Sequence, residues 1–143
     1  MEPRSGRSKK SSKPELPDSF VNRSLGAYGV PDALREDGWP LVTMREIYGE
    51  QGAQNLTGDS LWIEEVSARG LVILSKDSKS LCGVHRADIE EHGAKVFILP
   101  QQNLNGDEMA ERFIRHKYRI ARKAEKDGPM IYRLYPTQIK RIV

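Results

Sequence analysis

Two carboxylates and one carboxamide, Asp59, Asp77 and Asn22, have the residue types and neighbours to build a cation site in this 143-residue chain. Asn22 follows the apolar pair Phe20-Val21. Asp77 follows the run Leu71-Val72-Ile73-Leu74, with Ser75 and Lys76 between, and Asp59 opens the segment that leads into that run. Groups just beyond the carboxyl ends of strands share one mouth in an open α/β sheet. Asn22 and Asp77 would sit there, and Asp59 can reach it from the head of a helix. Carboxylates brought together repel, and a divalent cation relieves that repulsion. Mg2+ takes few protein carboxylates, keeps several waters and leaves room for phosphate oxygens. A cation so held activates water and stabilises charge on a departing oxygen. Singly, each residue also has a plainer reading: Asp59 as a helix N-cap, Asp77 as a turn residue, Glu46, Glu50, Glu64 and Glu65 as solvated acids. Only joint placement at one sheet edge makes a site.

Charge is distributed unevenly. Residues 14–111 carry a net charge of −9, residues 112–126 carry +6, and the first 13 residues carry +4. An acidic bulk can hold a cation and a basic segment a polyanion, and both would serve an enzyme that cuts a phosphodiester. Arg112, Arg115, Arg119, Arg122 and Lys126 recur at spacings of 3, 4, 3 and 4. They form either a phosphate-binding face, with Tyr118 available for stacking, or a solvated helix face. Arg23 and Lys76 adjoin two of the candidate ligands and can contact phosphate or serve the fold.

Other chemistries find little support. A single cysteine, Cys82, excludes an internal disulfide and a multi-thiolate zinc site. His85, His92 and His116 lack zinc-ligand spacing and are expected on the surface. Ser75 and Ser80 have no His/Asp set for nucleophilic catalysis, and the Gly26/Gly29 pair is too weak for a nucleotide fingerprint. The apolar runs are too short to span a bilayer, and the basic start has no apolar stretch behind it, so no membrane association or secretory signal is expected. The compartment implied is a reducing cytoplasm.

The elements that must position these residues follow from periodicity and punctuation. Residues 1–18, rich in Ser, Lys, Arg and Pro, read as a disordered basic arm, and residues 19–143 as one domain. Strands are predicted at Ser19–Val21, Pro40–Thr43, Leu71–Leu74 and Lys95–Leu99, with Leu71–Leu74 buried on both faces. Helices are predicted at Val30–Asp37, Ser60–Ala68 and His85–His92, with a short helical turn at Met44–Tyr48 and a loop over 49–58. Asn105 and Glu108 have capping-box spacing before one long helix at about 106–126, with Met109, Phe113, Ile120 and Ala124 on its buried stripe. Met130–Leu134 and Gln138–Ile142 read as a terminal hairpin. Strand–helix alternation makes this an α/β protein with a mainly parallel sheet and helices on both faces.

In order along the chain, several segments resemble a known family. Phe20-Val21-Asn22-Arg23-Ser24-Leu25-Gly26 resembles F-x-D-R-x-L-G, and Asp59-Ser60-Leu61-Trp62 resembles D-x-x-W. Val72-Ile73-Leu74-Ser75-Lys76-Asp77 resembles V-V-L-T-K-D. Leu99-Pro100 through Asn103-Leu104-Asn105-Gly106-Asp107-Glu108-Met109-Ala110 resembles L-P-x-x-N-L-T-G-E-E-M-A, and Ile131-Tyr132-Arg133 resembles a late I-Y-R. The family is that of the PIN-like VapC toxins of bacterial toxin–antitoxin pairs. The resemblance implies a three-layer α/β/α nuclease domain and an endoribonuclease dependent on Mg2+ or Mn2+. It implies the metal held at positions 22, 59 and 77, and an RNA substrate. It also implies a cognate antitoxin, and a homodimer or toxin–antitoxin hetero-oligomer.

One departure stands out. The family pattern has Asp where this chain has Asn22, and an amide keeps the shape but loses the negative charge. Either this copy is naturally weakened, or the substitution was introduced to disarm a toxic product; the other motifs, being intact, favour the second. Two further readings remain. A non-catalytic RNA- or protein-binding module would make Asn22 native. A receiver-like domain fits the α/β pattern but lacks a paired acidic start.

Overall fold

Alternation within short apolar strands decides which helices cover which face. The computed structural model describes residues 13–26, 28–51 and 59–143, the side chains of Gln51 and Asp59 excepted. Its six strands are β1 (Ser19–Val21), β2 (Leu41–Thr43), β3 (Val72–Ser75), β4 (Lys95–Ile98), β5 (Met130–Leu134) and β6 (Ile139–Arg141). They form one sheet in the order β2-β1-β3-β4-β5-β6; the first five are parallel and β6 returns antiparallel as the C-terminal hairpin.

Val72 and Leu74 of β3 join Phe97 of β4 and Tyr132 of β5 in one core cluster. Ile73, Val96, Ile98 and Ile131 join the other. The first cluster is closed by α1 (Gly29–Glu36), α5 (Gly106–Arg115) and α6 (Lys117–Ala124), and the second by α2 (Met44–Gln51), α3 (Asp59–Ala68) and α4 (Arg86–His92). A sheet buried on both faces by helices is the three-layer α/β/α architecture expected from the sequence. Burying both faces is also why β3 and β4 read as continuous apolar runs.

Caps fix the helix starts. Asn105 Oδ1 accepts the Glu108 N–H at 2.8 Å while Glu108 Oε1 accepts the Asn105 N–H at 2.9 Å, the reciprocal box its spacing predicts. Thr43 and Glu46 make a second such box ahead of α2. Of the N-terminal arm, residues 13–18 are described: Leu16 packs against the first core cluster, and the Asp18 carbonyl accepts from Val72 N.

Three local features differ from expectation. The helix expected over 106–126 is two helices, broken at His116 (φ −99°, ψ 8°). His116 is not a surface residue: it is 0% exposed. It falls on the buried stripe between Phe113 and Ile120, so the apolar rhythm runs through it and hides the break. A π-helical turn, Ser80–Val84, precedes α4. The helix after β2 extends to Gln51, kinked at Gly49 (φ 78°), where a shorter turn was expected; the remainder of the expected 49–58 loop, residues 52–58, lies outside the described residues.

Candidate active site at the carboxyl ends of β1 and β3

The chain leaves β1 toward β2 on one side, while β3, β4 and β5 build outward on the other. The gap between the carboxyl ends of β1 and β3 is therefore a topological switch point, where open α/β sheets bind ligands. Val21 pairs in register with Leu74, so Asn22 and Ser75 emerge side by side. The Asn22 N–H donates to the Leu74 carbonyl at 3.0 Å, which carries the ladder one residue past the strand.

A short polar network binds the two strand ends. Asn22 Oδ1 accepts the Ser24 N–H at 2.9 Å and caps the 3-10 turn Arg23–Leu25. Ser24 Oγ lies 3.1 Å from Ser75 Oγ and accepts the Lys76 N–H at 3.0 Å. Ser75 Oγ accepts the Asp77 N–H at 2.9 Å and donates to Asn22 Oδ1 at 3.4 Å. Since Ser75 donates to Asn22, the Ser24 hydroxyl donates to Ser75, and each proton has one destination. Asp77 Oδ1 accepts the Ser80 N–H at 3.2 Å and its carbonyl accepts Leu81 N, which starts the π-helical turn. Asn22 and Asp77 thus share one network. Asn22 Oδ1, 4% exposed as a residue, meets only donors, so a carboxylate would keep the same bonds in stronger, charge-assisted form.

Asp59 opens α3, and its side chain lies outside the described residues. The course of the helix is described. α3 ends at Ala68, shortly before β3 begins, so its head lies toward the carboxyl edge. Ser60 Oγ donates to Asp88 Oδ2 at 2.7 Å, and Asp88 also meets His85 Nδ1 at 3.0 Å. The His85 ring, then Ser60, holds the Asp88 carboxyl below its ordinary range. Among the described residues, no group of three or more His, Cys, Asp or Glu side chains could hold a metal ion. The described donors at the mouth are one carboxylate and one carboxamide oxygen. In kind they suit a hard divalent cation.

The remaining candidate acids are engaged elsewhere or exposed. Glu46 pairs with Arg35 at 2.6 Å, which holds its carboxyl below the usual value, and Glu50 pairs with Arg45 at 2.8 Å. Glu65 accepts the Tyr48 hydroxyl at 2.7 Å, and Glu64 is exposed. Arg23 Nη1 lies 3.8 Å from Met44 Sδ. Lys76 is half-buried, its carbonyl accepting from Gln102 Nε2 at 3.0 Å.

The arginines of the C-terminal helices divide into two groups. Arg112 is 8% exposed and donates to Gln101 Oε1 at 2.9 Å and the Leu134 carbonyl at 3.3 Å, bridging the ends of β4 and β5. Arg115 donates to Glu111 and to the Pro136 carbonyl at 2.9 Å. Arg119 donates to His116 Nδ1 at 2.9 Å, and with Arg122 it is exposed. Since Nδ1 accepts, His116 carries its proton on Nε2 and donates it to the Tyr135 carbonyl at 2.6 Å.

Ser24 and Ser75 are the positioning residues that motif reasoning overlooked. Their signal was legible: each stands two residues from a candidate ligand, the spacing of side-chain turns.

Comparison with known proteins identifies a family. A family model described as "PIN like domain" matches residues 17–101, which contain β1 to β4 and the whole mouth. The chain is 38% identical over 130 residues to a Mycobacterium tuberculosis (strain ATCC 25618 / H37Rv) protein named "Putative ribonuclease VapC45", covering 90% of this chain and 94% of that protein. No solved structure matches. With a family model matched over more than half of its residues and homology along nearly its whole length, the chain belongs to the PIN-like domain family, as a homologue of a protein named "Putative ribonuclease VapC45".

Proposed function

We propose that this chain is the toxin of a type II toxin–antitoxin pair, an endoribonuclease dependent on Mg2+ or Mn2+, weakened by Asn at position 22. The observation that carries the reading is the shared network of Asn22 and Asp77 at the switch point of a chain homologous to a named ribonuclease. In this reading Asp59, Asp77 and the residue at 22 hold the cation, which supplies an activated water and charge stabilisation at the scissile phosphate. Ser75 Oγ holds the Asp77 backbone N–H, and the Ser80 N–H holds the Asp77 carboxylate. Arg23 and Lys76 flank the mouth and meet the phosphates beside the cut. Arg112 holds the ends of β4 and β5, while Arg115, Arg119 and Arg122 offer exposed cations to RNA. A cognate antitoxin, a homodimer or toxin–antitoxin assembly, and a cytoplasmic setting complete the proposal. Among the described residues, no helix is long and apolar enough to cross a membrane.

One observation favours a second reading, a non-catalytic RNA- or protein-binding module: the Asn22 amide already serves as a helix cap and needs no metal. RNA cleavage by the Asn22→Asp variant, with an added Asp77→Ala change as the blank, separates the two. The nuclease reading expects metal-dependent cleavage restored by the first change and abolished by the second, with Mn2+ uptake in calorimetry following the same pattern. Folded Asn22→Asp protein that neither cuts RNA nor takes up Mn2+ leaves the binding module as the answer.

A further inference from the structure

The exposed cations of α6 and of the turn after it do not face open solvent alone. Arg119, Arg122, Lys123 and Lys126 form one wall of a groove whose other wall is the terminal hairpin: Tyr132, Thr137, Gln138, Ile139 and Arg141. The groove has a volume of about 670 Å³, and none of its described lining residues is acidic. It begins at the edge of the sheet that holds the mouth, because Arg119 is tied through His116 to Tyr135 at the hairpin turn. It runs down α6, whose far end is fixed by Lys95 Nζ on the Ala124 carbonyl at 2.6 Å. Residues 119 to 124 of α6 span roughly 8 Å along its axis, and Lys126 lies just past its end. β6 stands three strands from β3, about 14 Å across the sheet. The groove also lies entirely outside residues 17–101, the segment matched by the family model.

We propose that this groove is an exosite that grips the phosphodiester backbone of an RNA strand away from the mouth, without metal and without reading sequence. That the polyanion is RNA rests on the ribonuclease reading; that the groove takes a phosphate backbone rests on its lining. Five cations with a hydroxyl and an amide donor are what phosphate oxygens require. A protein partner would need a desolvated aromatic or aliphatic anchor. The groove offers only the half-buried Ile139, because Tyr132 is 6% exposed with Lys123 and Arg141 lying 5.8 and 5.9 Å from its ring centre. The same cover removes a stacking surface for bases, so binding is indifferent to sequence.

The test is fluorescence anisotropy of a labelled, mixed-sequence single-stranded oligoribonucleotide of about ten nucleotides, titrated with the full chain in EDTA over a series of salt concentrations. Lys123→Ala with Lys126→Ala removes two groove cations and should weaken binding several-fold, making the slope of log affinity against log salt shallower by about 1.4. Arg69→Ala with Arg86→Ala removes the same charge from the opposite layer and should leave that slope unchanged. Equal losses in both variants, with unaltered circular dichroism, reduce the effect to net charge and overturn the exosite. Displacement of the RNA by a polyglutamate peptide at lower concentration than by unlabelled RNA makes the groove a protein dock and overturns it too. EDTA keeps cleavage silent, so failure here is distinct from failure of Asn22→Asp to cut RNA.

Discussion

Trp62 stacks on Phe20 with ring centroids 5.2 Å apart and planes inclined by 28°. Phe20 lies two residues before Asn22 and Trp62 three residues after Asp59, so this contact ties the head of α3 to the carboxyl end of β1. Both rings are fully buried. Trp62→Ala should cost about 3–5 kcal/mol, from lost burial and the cavity left behind. Trp62→Phe, which keeps a ring on Phe20, should cost less. Urea unfolding of the two variants checks the order; equal losses would show that a ring stacked on Phe20 does not by itself hold α3 in place.

The serine pair makes a sharper claim about the mouth. Ser24→Ala leaves the Lys76 N–H without its acceptor, and Ser75→Ala does the same to the Asp77 N–H. Each should cost about 1–3 kcal/mol. Because the two hydroxyls also bond each other, the double variant should deviate from additivity by about 0.5 kcal/mol or more. A double-mutant cycle in urea measures this. Strict additivity would mean that the two serines cap their turns independently and do not join β1 to β3.

Gly128 meets a different constraint, close approach of backbone. A Cβ at this position would run into the Gly93 carbonyl group, main-chain atoms that no rotamer change can move. The contact joins the turn before β4 to the turn before β5, where Met130 N donates to the Ala94 carbonyl at 2.9 Å. Gly128→Ala should therefore destabilise by about 1–3 kcal/mol, as overpacking does. Gly106→Ala, where a Cβ meets nothing within 4 Å, should be neutral or better. Thermal melts of the two variants give the comparison.

The strands were legible because short apolar runs buried on both faces leave little else to be. Asn22 and Asp77 were legible as neighbours because polar residues directly after such runs project from the carboxyl edge. The same logic placed the head of α3 but said nothing of the Phe20–Trp62 contact, which depends on the crossing of helix and strand. The turn after β3 was not legible: Ser78 to Val84 has no rhythm to betray a π-helical turn, and Asp77 looked like an ordinary turn residue because it also caps one. The spacing of the basic residues suggested one stripe. The break at His116 turns it instead into two sets: Arg112 and Arg115 bonded to the ends of β4 and β5, Arg119 and Arg122 facing the groove.

His116 gives that break a pH signature. Burial, reinforced by the nearby Arg119, Arg112 and Arg115 guanidinium groups, drives its pKa below the ordinary 6.5, against the Tyr135 carbonyl, which favours the charged ring. The folded state thus holds His116 neutral while the unfolded chain protonates it near 6.5. The unfolded state binds more protons between these two values, so stability is fully present above 6.5 and declines as pH falls toward the lowered folded value. Glu46 and Asp88, held below their ordinary 4.5 and 3.8, lose their contributions only further down. Lys117, raised by Asp37, acts only at alkaline pH. The first acid-side loss should therefore belong to His116. His116→Gln, whose amide can still donate to the Tyr135 carbonyl, should flatten the melting temperature from pH 6.5 down to the carboxylate range. An unchanged slope in that variant would remove His116 as the group behind the loss.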